Sequence, residues 1–139
     1  MLRQASTTLS IRANRPGLHE FTDDVSRFVA DSGIREGLLT LFCTHTSASL
    51  LIQENAAPAA RRDLQAYFER IAPEGGPYEH DAEGPDDMPA HLRTALTATQ
   101  LSVPVKNSRP VLGTWQGIFL FEHRSSTPER HVALHLIGE

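Results

Sequence analysis

The last third of the chain, residues 101–139, alternates apolar and polar residues over several short runs. The runs are interrupted at Asn107-Ser108 and between Ser125 and Pro128, where residues typical of turns collect. Because successive side chains of a strand point to opposite faces, this pattern predicts three or four antiparallel strands joined by turns. A sheet of this kind needs apolar cover, which the rest of the chain must supply.

The earlier part of the chain predicts three helices and three further strands. "ASTTLSIRA" alternates as a strand does, and the following helix lies in "FTDDVSRFVADSG", with Thr22 as its N-cap and Gly33 as its end. The apolar run "GLLTLFCTH" predicts a strand buried on both faces, with "SLLIQE" as its partner or extension. A second helix begins at Pro58, residues 72–88 form a long loop, and a third helix follows an N-cap at Asp87.

The order of these elements predicts one α+β domain over residues 1–139, with a mainly antiparallel sheet covered by helices. No strand-to-helix turn carries a GxGxxG or GxxxxGKS motif, so neither a dinucleotide fold nor a nucleoside-triphosphate loop is expected. Gly113 and Gly117, in "GTWQG", instead predict a bulge or a close approach of two backbones.

Composition argues against several classes of function. The formal net charge of −4 lacks the excess of positive charge that is typical of nucleic-acid-binding proteins, so we expect no nucleic-acid partner. No stretch approaches the roughly 20 apolar residues of a membrane span, and the first residues lack the apolar segment of a signal peptide. The single cysteine, Cys43, cannot form an internal disulfide, which agrees with a cytoplasmic protein.

The segment "FCTHTSASLLIQEN", residues 42–55, places polar chemistry at the end of an apolar run. Cys43 and His45 share one face of the predicted strand, so the thiol is either a nucleophile beside an imidazole or a small buried core residue. The hydroxyls of Thr46 and Ser47 either bind backbone groups where the strand ends or bind an anionic ligand. This segment is therefore expected to form one wall of a pocket.

Three histidines, His45, His80 and His91, are candidate ligands for a divalent metal ion. Their spacing matches no short metal motif such as HExxH, so they are equally interpreted as a strand-edge, a loop and a helix-start residue. The remaining candidates lie on alternating strands, where an exposed or cross-strand position explains them without a ligand: His123, His131 and His135.

Other polar residues have a structural and a functional interpretation. Glu54 and Asn55 end an apolar run and are candidates to line a pocket. Trp115 and Gln116 either fill the core or face a cleft. Arg124 follows a predicted strand, and its guanidinium is either exposed to solvent or binds a phosphate or carboxylate group.

Four segments occur in the order found in the YjbQ-like family, whose members are often labelled secondary thiamine-phosphate synthases: "FCTHTSASLLIQENAAP", "EHDAEGPDDMPAHLR", "LGTWQGIFLFE" and "LIGE". The chain resembles this family over nearly its whole length. The resemblance implies a β-sandwich of mainly antiparallel strands with flanking helices, usually assembled as a homotrimer. It also implies that His45, His80 and His91 converge on one site.

The chain departs from the family pattern at two places. Relatives commonly have glycine where Ser108 stands, so we expect strain or a different turn there. The segment "HRSSTPERHV" differs around Arg124, so this arginine is not a residue-by-residue match.

The leading hypothesis is a small metal-dependent enzyme, with Zn²⁺ or Mg²⁺ on the three histidines and Glu54 as the acid-base residue. The ion faces the catalytic candidates Cys43, Asn55 and Gln116. The substrate-binding candidates are Thr46, Ser47, Trp115 and Arg124. The family label implies transfer of a hydroxymethylpyrimidine group to thiazole phosphate with release of pyrophosphate. The alternatives are a non-catalytic trimer that binds a small phosphorylated or otherwise anionic metabolite, and a purely structural trimer.

Overall fold

The computed structural model describes all 139 residues as eight strands and three helices. In chain order these are β1 (Arg3–Ile11), β2 (Gly17–Glu20), α1 (Thr22–Ser32), β3 (Gly37–Cys43), β4 (Ala48–Glu54), α2 (Pro58–Ile71), α3 (Asp87–Leu96), β5 (Gln100–Lys106), β6 (Arg109–Pro110), β7 (Gln116–Glu122) and β8 (Arg130–Gly138). The longest helix, α2, has 14 residues, and no helix is long and apolar enough to cross a membrane.

The strands form two sheets in which every pairing is antiparallel. The five-stranded sheet has the order β1-β8-β3-β5-β6, and the three-stranded sheet has the order β2-β7-β4. One core of 16 buried apolar residues draws on both sheets and on α1. The predicted α+β sandwich of mainly antiparallel strands with flanking helices is confirmed.

Helix α2 covers the outer face of the three-stranded sheet. The ring of Phe68 meets the ring of Phe121 edge to face with their centroids 5.3 Å apart, and the Arg61 guanidinium lies over the Phe119 ring. This cover explains why residues on both faces of β7 are buried.

The outer face of the five-stranded sheet has no such cover. On β3, Leu39 and Leu41 enter the core, whereas Leu38 and Phe42 point outward and are 45% and 47% exposed. Ile137, the partner of Leu38 on β8, is also exposed. The prediction that β3 is buried on both faces was therefore wrong for the single chain, because no helix packs on this side.

Two local expectations needed correction near α1. Strand β2 was missed because its four residues, "GLHE", are too few to show a period. Thr22 does not cap α1, since Phe21 holds the N-cap position and the Thr22 hydroxyl accepts the Ile118 N–H instead. Gly33 ends the helix in the left-handed region, with φ of 73°, as predicted.

The structure decides two predictions about the backbone, one for the turn at Ser108 and one for the surroundings of Gly117. Asn107 and Ser108 both have positive φ, 52° and 61°, so the two-residue turn between β5 and β6 keeps the left-handed form and Ser108 bears the strain. A Cβ on Gly117 would lie 2.6 Å from Glu20 Oε2 and 2.9 Å from Asn55 Cβ, so two side chains, rather than a second backbone, approach this glycine closely.

His123, directly after β7, is a core residue rather than the exposed or cross-strand residue that the sequence predicts. Its side chain is buried, Nε2 hydrogen-bonds Ser49 Oγ at 2.9 Å, and the Thr97 hydroxyl donates to Ser49 Oγ at 2.6 Å. Burial, together with the positive charges of Arg93 and Arg130, lowers the pKa of His123 to about 3. The imidazole is therefore neutral at physiological pH.

We expect acid to destabilise the protein through His123. The pKa of a histidine in the unfolded chain is about 6.5, whereas that of His123 in the folded chain is about 3. As the pH falls from about 6.5 to about 3, the unfolded chain therefore binds a proton that the folded chain does not bind. Between pH 7 and pH 4 this residue should lower the free energy of unfolding by about 3 kcal/mol. Urea unfolding of the wild type and of His123→Gln at several pH values measures this difference.

The wild type and His123→Gln share all other titrating groups, so the contributions of those groups to the pH dependence cancel in the comparison. The matched control is His19→Gln on β2, which makes none of the His123 contacts and whose curve should stay parallel to that of the wild type. Parallel curves for the wild type and His123→Gln would show that His123 does not carry this pH dependence.

Candidate functional site

Four side chains that can bind a metal ion meet between the long loop and the start of α3. They belong to His80, Glu83, Asp87 and His91, and their ligand atoms all lie within 4.8 Å of one another. Asp87 is central, because its Oδ2 lies 2.8 Å from His80 Nε2 and 3.1 Å from His91 Nε2. We call these four residues the His80–His91 cluster.

The local fold explains why these side chains meet. Asp87 and His91 are four residues apart on α3 and therefore share one face of the helix. The cap position that the sequence assigned to Asp87 belongs to Asp86, and neither side chain caps the helix. This leaves Asp87 free to turn its carboxylate toward the loop, where His80 approaches it.

The segment after β7 fixes the position of α3. Arg124 binds Asp86 Oδ2 through Nε and Asp87 Oδ1 through Nη1, and its Nη2 donates to the Glu83 carbonyl. Ser125 adds its N–H and hydroxyl to Asp86 Oδ2. The guanidinium of Arg124 is thus occupied within the chain, which favours a positioning role over the predicted contact with substrate.

Asp87 is ionised despite its burial. Removal from water raises the pKa of this carboxyl group, but the hydrogen bond from His80 and the charges of His91 and Arg124 outweigh that effect and lower it overall. The same hydrogen bond raises the pKa of His80 above its usual value. The site therefore holds a carboxylate that strongly favours a cation beside it.

His91 is held in one orientation. Its Nδ1 lies 2.9 Å from the Thr46 carbonyl oxygen, which can only accept a hydrogen bond, so Nδ1 carries a proton. In the neutral ring Nε2 is then an electron-pair donor, and it faces Asp87 Oδ2, which also only accepts. Their approach to 3.1 Å requires a proton or a metal ion between the two atoms.

His45 does not join the cluster within this chain. Its Nε2 accepts the His131 N–H at 2.8 Å, and its Nδ1 lies 3.4 Å from Arg130 Nη1. Burial lowers the pKa of His45, with Arg130 and His131 acting in the same direction. The structure thus brings His80 and His91 together with Asp87, while His45 lies beside His91 on the wall of a shared open cavity of about 400 Å³.

An ion pair between Glu122 and Arg130, which the sequence analysis missed, supports this end of the site. Both side chains are buried, and Arg130 Nε and Nη2 bind the two carboxylate oxygens at 2.8 and 2.6 Å. Arg130 Nη2 also donates to the Ser47 carbonyl. The only signal in the sequence is an acid that ends the apolar run "GIFLF", which does not reveal its partner.

Cys43 belongs to the core. It is 1% exposed, its Sγ lies 3.5 Å from the Ala48 carbonyl oxygen, and burial raises the pKa of the thiol. A thiol that stays protonated and out of contact with solvent is a poor nucleophile. Of the two interpretations of Cys43, the structure favours the small core residue over the catalytic one.

The other predicted site residues lie at the opposite end of β4. Glu54 pairs in register with Gln116, while Ala48, at the end near His45, pairs with Glu122. Seven residues of strand span roughly 20 Å, which separates the two groups. The separated group consists of Glu54, Asn55, Trp115 and Gln116.

This distant group makes its own structural contacts. Glu54 Oε2 accepts the Ala57 N–H before α2, and Asn55 Nδ2 donates to Glu20 Oε2. Gln116 Oε1 accepts the Gly113 N–H, and Trp115 is 62% exposed. The structure corrects three assignments within this chain: Glu54 as acid-base residue beside the histidines, Asn55 and Gln116 as neighbours of the ion, and Trp115 as a substrate contact there. Strand length keeps all four residues away from the histidines.

The chain resembles known proteins over almost its full length. The family model described as UPF0047 protein YjbQ-like matches residues 7–139. Over 138 residues the chain is 48% identical to a UPF0047 protein of Synechocystis, covering 99% of this chain and 94% of that protein. It is 44% identical to the UPF0047 protein YjbQ of Escherichia coli O157:H7, covering 95% and 96%.

A solved structure agrees with the fold. The crystal structure of a YbjQ-like protein of unknown function from Sulfolobus solfataricus P2 matches with a TM-score of 0.89 and 25% identity over 100% of both chains. Sequence and fold therefore agree across the whole length of the chain, which belongs to the YjbQ-like UPF0047 family.

Proposed function

We propose that this protein is a metal-dependent enzyme whose divalent ion is bound by His80, Asp87 and His91. The observation that carries the proposal is the approach of His91 Nε2 to Asp87 Oδ2, which needs a proton or a metal ion between the two atoms. We favour the metal ion because the ligand atoms of four side chains converge at this point. Two imidazoles and a carboxylate form a ligand set typical of catalytic Zn²⁺, which makes zinc our first choice over Mg²⁺.

The surroundings of the three ligands support such a site. The Thr46 carbonyl orients His91, and Arg124 occupies Asp87 Oδ1 while Oδ2 faces the histidines. Partners of this kind fix the direction of metal ligands in known sites. His80 and Glu83 are exposed, so one side of the cluster is open to water or substrate.

His45 replaces Glu54 as our candidate catalytic residue beside the metal ligands, in a role that orients the substrate. It lines the open cavity that also contains His91, Thr94 and Thr97. Its lowered pKa favours a neutral imidazole, and its Nε2 already accepts the His131 N–H, so the ring has no free lone pair for a substrate proton. Thr46 lines the same cavity and remains a candidate for substrate contact.

For the reaction we infer a group transfer with release of pyrophosphate, as in secondary thiamine-phosphate synthases. The support is the resemblance of the chain to proteins so labelled, together with a cluster suited to a divalent ion. When bound, the ion would act as a Lewis acid for the departing phosphate oxygens. The thiazole nitrogen would bond to the pyrimidine methylene carbon as the bond from that carbon to the pyrophosphate oxygen breaks, so no proton leaves either substrate. The chain would hold the ion and orient both substrates along the open cavity. We place this activity in the cytoplasm, since the single thiol is unpaired.

We also propose that the protein is a homotrimer built on the outer face of the five-stranded sheet. Leu38 and Ile137 are register partners on β3 and β8, and Phe42 lies further along the same face of β3. Together they form an apolar patch that nothing covers in the single chain. The resemblance to a trimeric family supports a second and third copy as its cover.

The first test is metal content. Protein purified without chelators or affinity metals should contain about one equivalent of transition metal per chain, which elemental analysis measures. His80→Ala, His91→Ala and Asp87→Asn should each lose it, because each removes one of three ligands. Arg124→Gln should weaken zinc binding about 10- to 100-fold in calorimetry, as second-shell changes do.

His19→Ala is the matched control, since this histidine lies on β2 in the three-stranded sheet, outside the cluster and outside the proposed interface. His45→Ala should retain the metal but lose turnover of a hydroxymethylpyrimidine diphosphate with thiazole phosphate. Wild-type activity in a metal-free His80→Ala/His91→Ala protein would contradict the proposal. Bound metal without product would favour the non-catalytic binding protein.

The trimer is tested by placing charge on the apolar patch. Leu38→Glu and Phe42→Glu should convert a trimer into monomers in light scattering after size-exclusion chromatography, because a buried unpaired carboxylate is costly. Leu96→Glu, at an exposed apolar residue at the end of α3, is the control and should remain trimeric. A monomeric wild type, or trimeric patch variants, would contradict this interface.

A further inference from the structure

A cavity of about 660 Å³ lies where the start of β2 meets the first two turns of α2. Three arginines line it, Arg15 from the segment before β2 and Arg61 and Arg62 from α2, together with Gln65. No carboxylate is among its lining residues. The first turn of α2 also lacks an acidic residue, so the positive end of the helix dipole adds to the arginines. This part of the surface is suited to an anion.

A second cavity, of about 360 Å³, continues from the first. Pro16 and Gln65 line both cavities, and the second reaches inward to Arg93 and His123. We call the two together the Gln65 cleft. It is distinct from the His80–His91 cluster, none of whose four residues lines either cavity.

Two buried polar atoms on the inner wall of the Gln65 cleft have no hydrogen-bond partner. They are Arg93 Nε and His123 Nδ1, and the His123 residue is only 2% exposed. A buried donor or acceptor without a partner costs roughly 1–3 kcal/mol, and folded proteins rarely leave one unpaired. A polar occupant of the inner cavity that reached these atoms would remove this cost.

One arginine of the outer cavity and the glutamine at the junction of the two cavities have restraining contacts. The Arg61 guanidinium lies 5.8 Å from the centroid of the Phe119 ring, which restrains it beside the cavity. Gly17 has φ of +122°, and a Cβ there would lie 2.5 Å from Gln65 Oε1. The absence of a side chain at Gly17 thus allows Gln65 to lie against the backbone where the two cavities join.

Charge changes along the cleft. The outer cavity carries the three arginines, whereas the inner cavity adds the carboxylates of Glu69, Glu74 and Asp86 to Arg93. Asp86 Oδ2 accepts hydrogen bonds from Arg124 Nε and from the N–H and hydroxyl of Ser125, so it acts as an acceptor on the wall of the inner cavity. An occupant must therefore be anionic at the outer end and carry hydrogen-bonding groups rather than negative charge at the inner end.

We propose that the Gln65 cleft binds a small phosphorylated molecule, with its phosphate on Arg15, Arg61 and Arg62. Guanidinium groups bind phosphate oxygens through charge-assisted, often bidentate, hydrogen bonds. The polar body of the molecule extends past Gln65 and supplies partners for Arg93 Nε and His123 Nδ1. This proposal does not depend on the metal-dependent reaction proposed above.

The test uses two probes, inorganic phosphate and ribose 5-phosphate, on the full chain treated with EDTA. Backbone NMR shifts should change saturably at residues 15–18 and 58–65 with both probes. Ribose 5-phosphate should bind more tightly and should also move the side-chain nitrogen resonances of His123. Absence of saturable shifts with either probe would overturn the proposal.

Variants assign the contacts. Arg61→Ala/Arg62→Ala should weaken binding of both probes at least about tenfold, the loss of one good charge-assisted contact. Arg15→Ala, in the segment between β1 and β2, repeats this test without altering a helix. Arg27→Ala, an exposed arginine on α1 outside the cleft, is the control and should bind as the wild type does.

The inner cavity is tested separately. His123→Gln should bind inorganic phosphate normally but lose the extra affinity for ribose 5-phosphate. If ribose 5-phosphate leaves the His123 resonances unchanged, the inner atoms are satisfied by water and this half of the proposal is wrong. His80→Ala, which removes a metal ligand that contacts neither Arg124 nor Asp86, should retain binding of both probes, so failure of the metal site leaves this result intact.

Discussion

A buried ion pair between Glu122 and Arg130 joins the two sheets at the end of the sandwich where the candidate site lies. Glu122 ends β7 in the three-stranded sheet, and Arg130 begins β8 in the five-stranded sheet. Loss of one partner of such a pair typically costs roughly 3–5 kcal/mol, because the other charge remains buried. Since Arg130 also binds the Ser47 carbonyl, the pair fixes the sheets and the segment between β3 and β4 together.

The His80–His91 cluster depends on that fixed segment. The Thr46 carbonyl, next to Ser47, determines which nitrogen of His91 is protonated and so turns Nε2 toward Asp87. Arg124, two residues beyond the ion pair, holds the other oxygen of Asp87. Three segments far apart in the sequence thus orient the cluster, and the sandwich serves as a rigid support for residues on its loops and on one helix end.

Sequence periodicity predicted the parts of this fold that local physics decides, and missed those that depend on distant contacts. The alternation in the last third predicted the antiparallel strands, and Gly33 predicted the end of α1. Burial of His123 depends on Ser49, 74 residues away, which no local pattern reveals. Glu54 was placed beside His45 because the two are close in sequence, although a whole strand separates them.

The Gln65 cleft and the His80–His91 cluster meet at one guanidinium. Asp86 lines the cleft and Asp87 belongs to the cluster, and Arg124 binds both carboxylates. Arg124 holds Asp87 Oδ1 while Oδ2 faces the histidines, so a cleft ligand that displaced Asp86 from Arg124 would change the support of the metal ligand. Because linkage between two binding events is reciprocal, a metal ion on Asp87 would change the affinity of the same cleft ligand by the same factor.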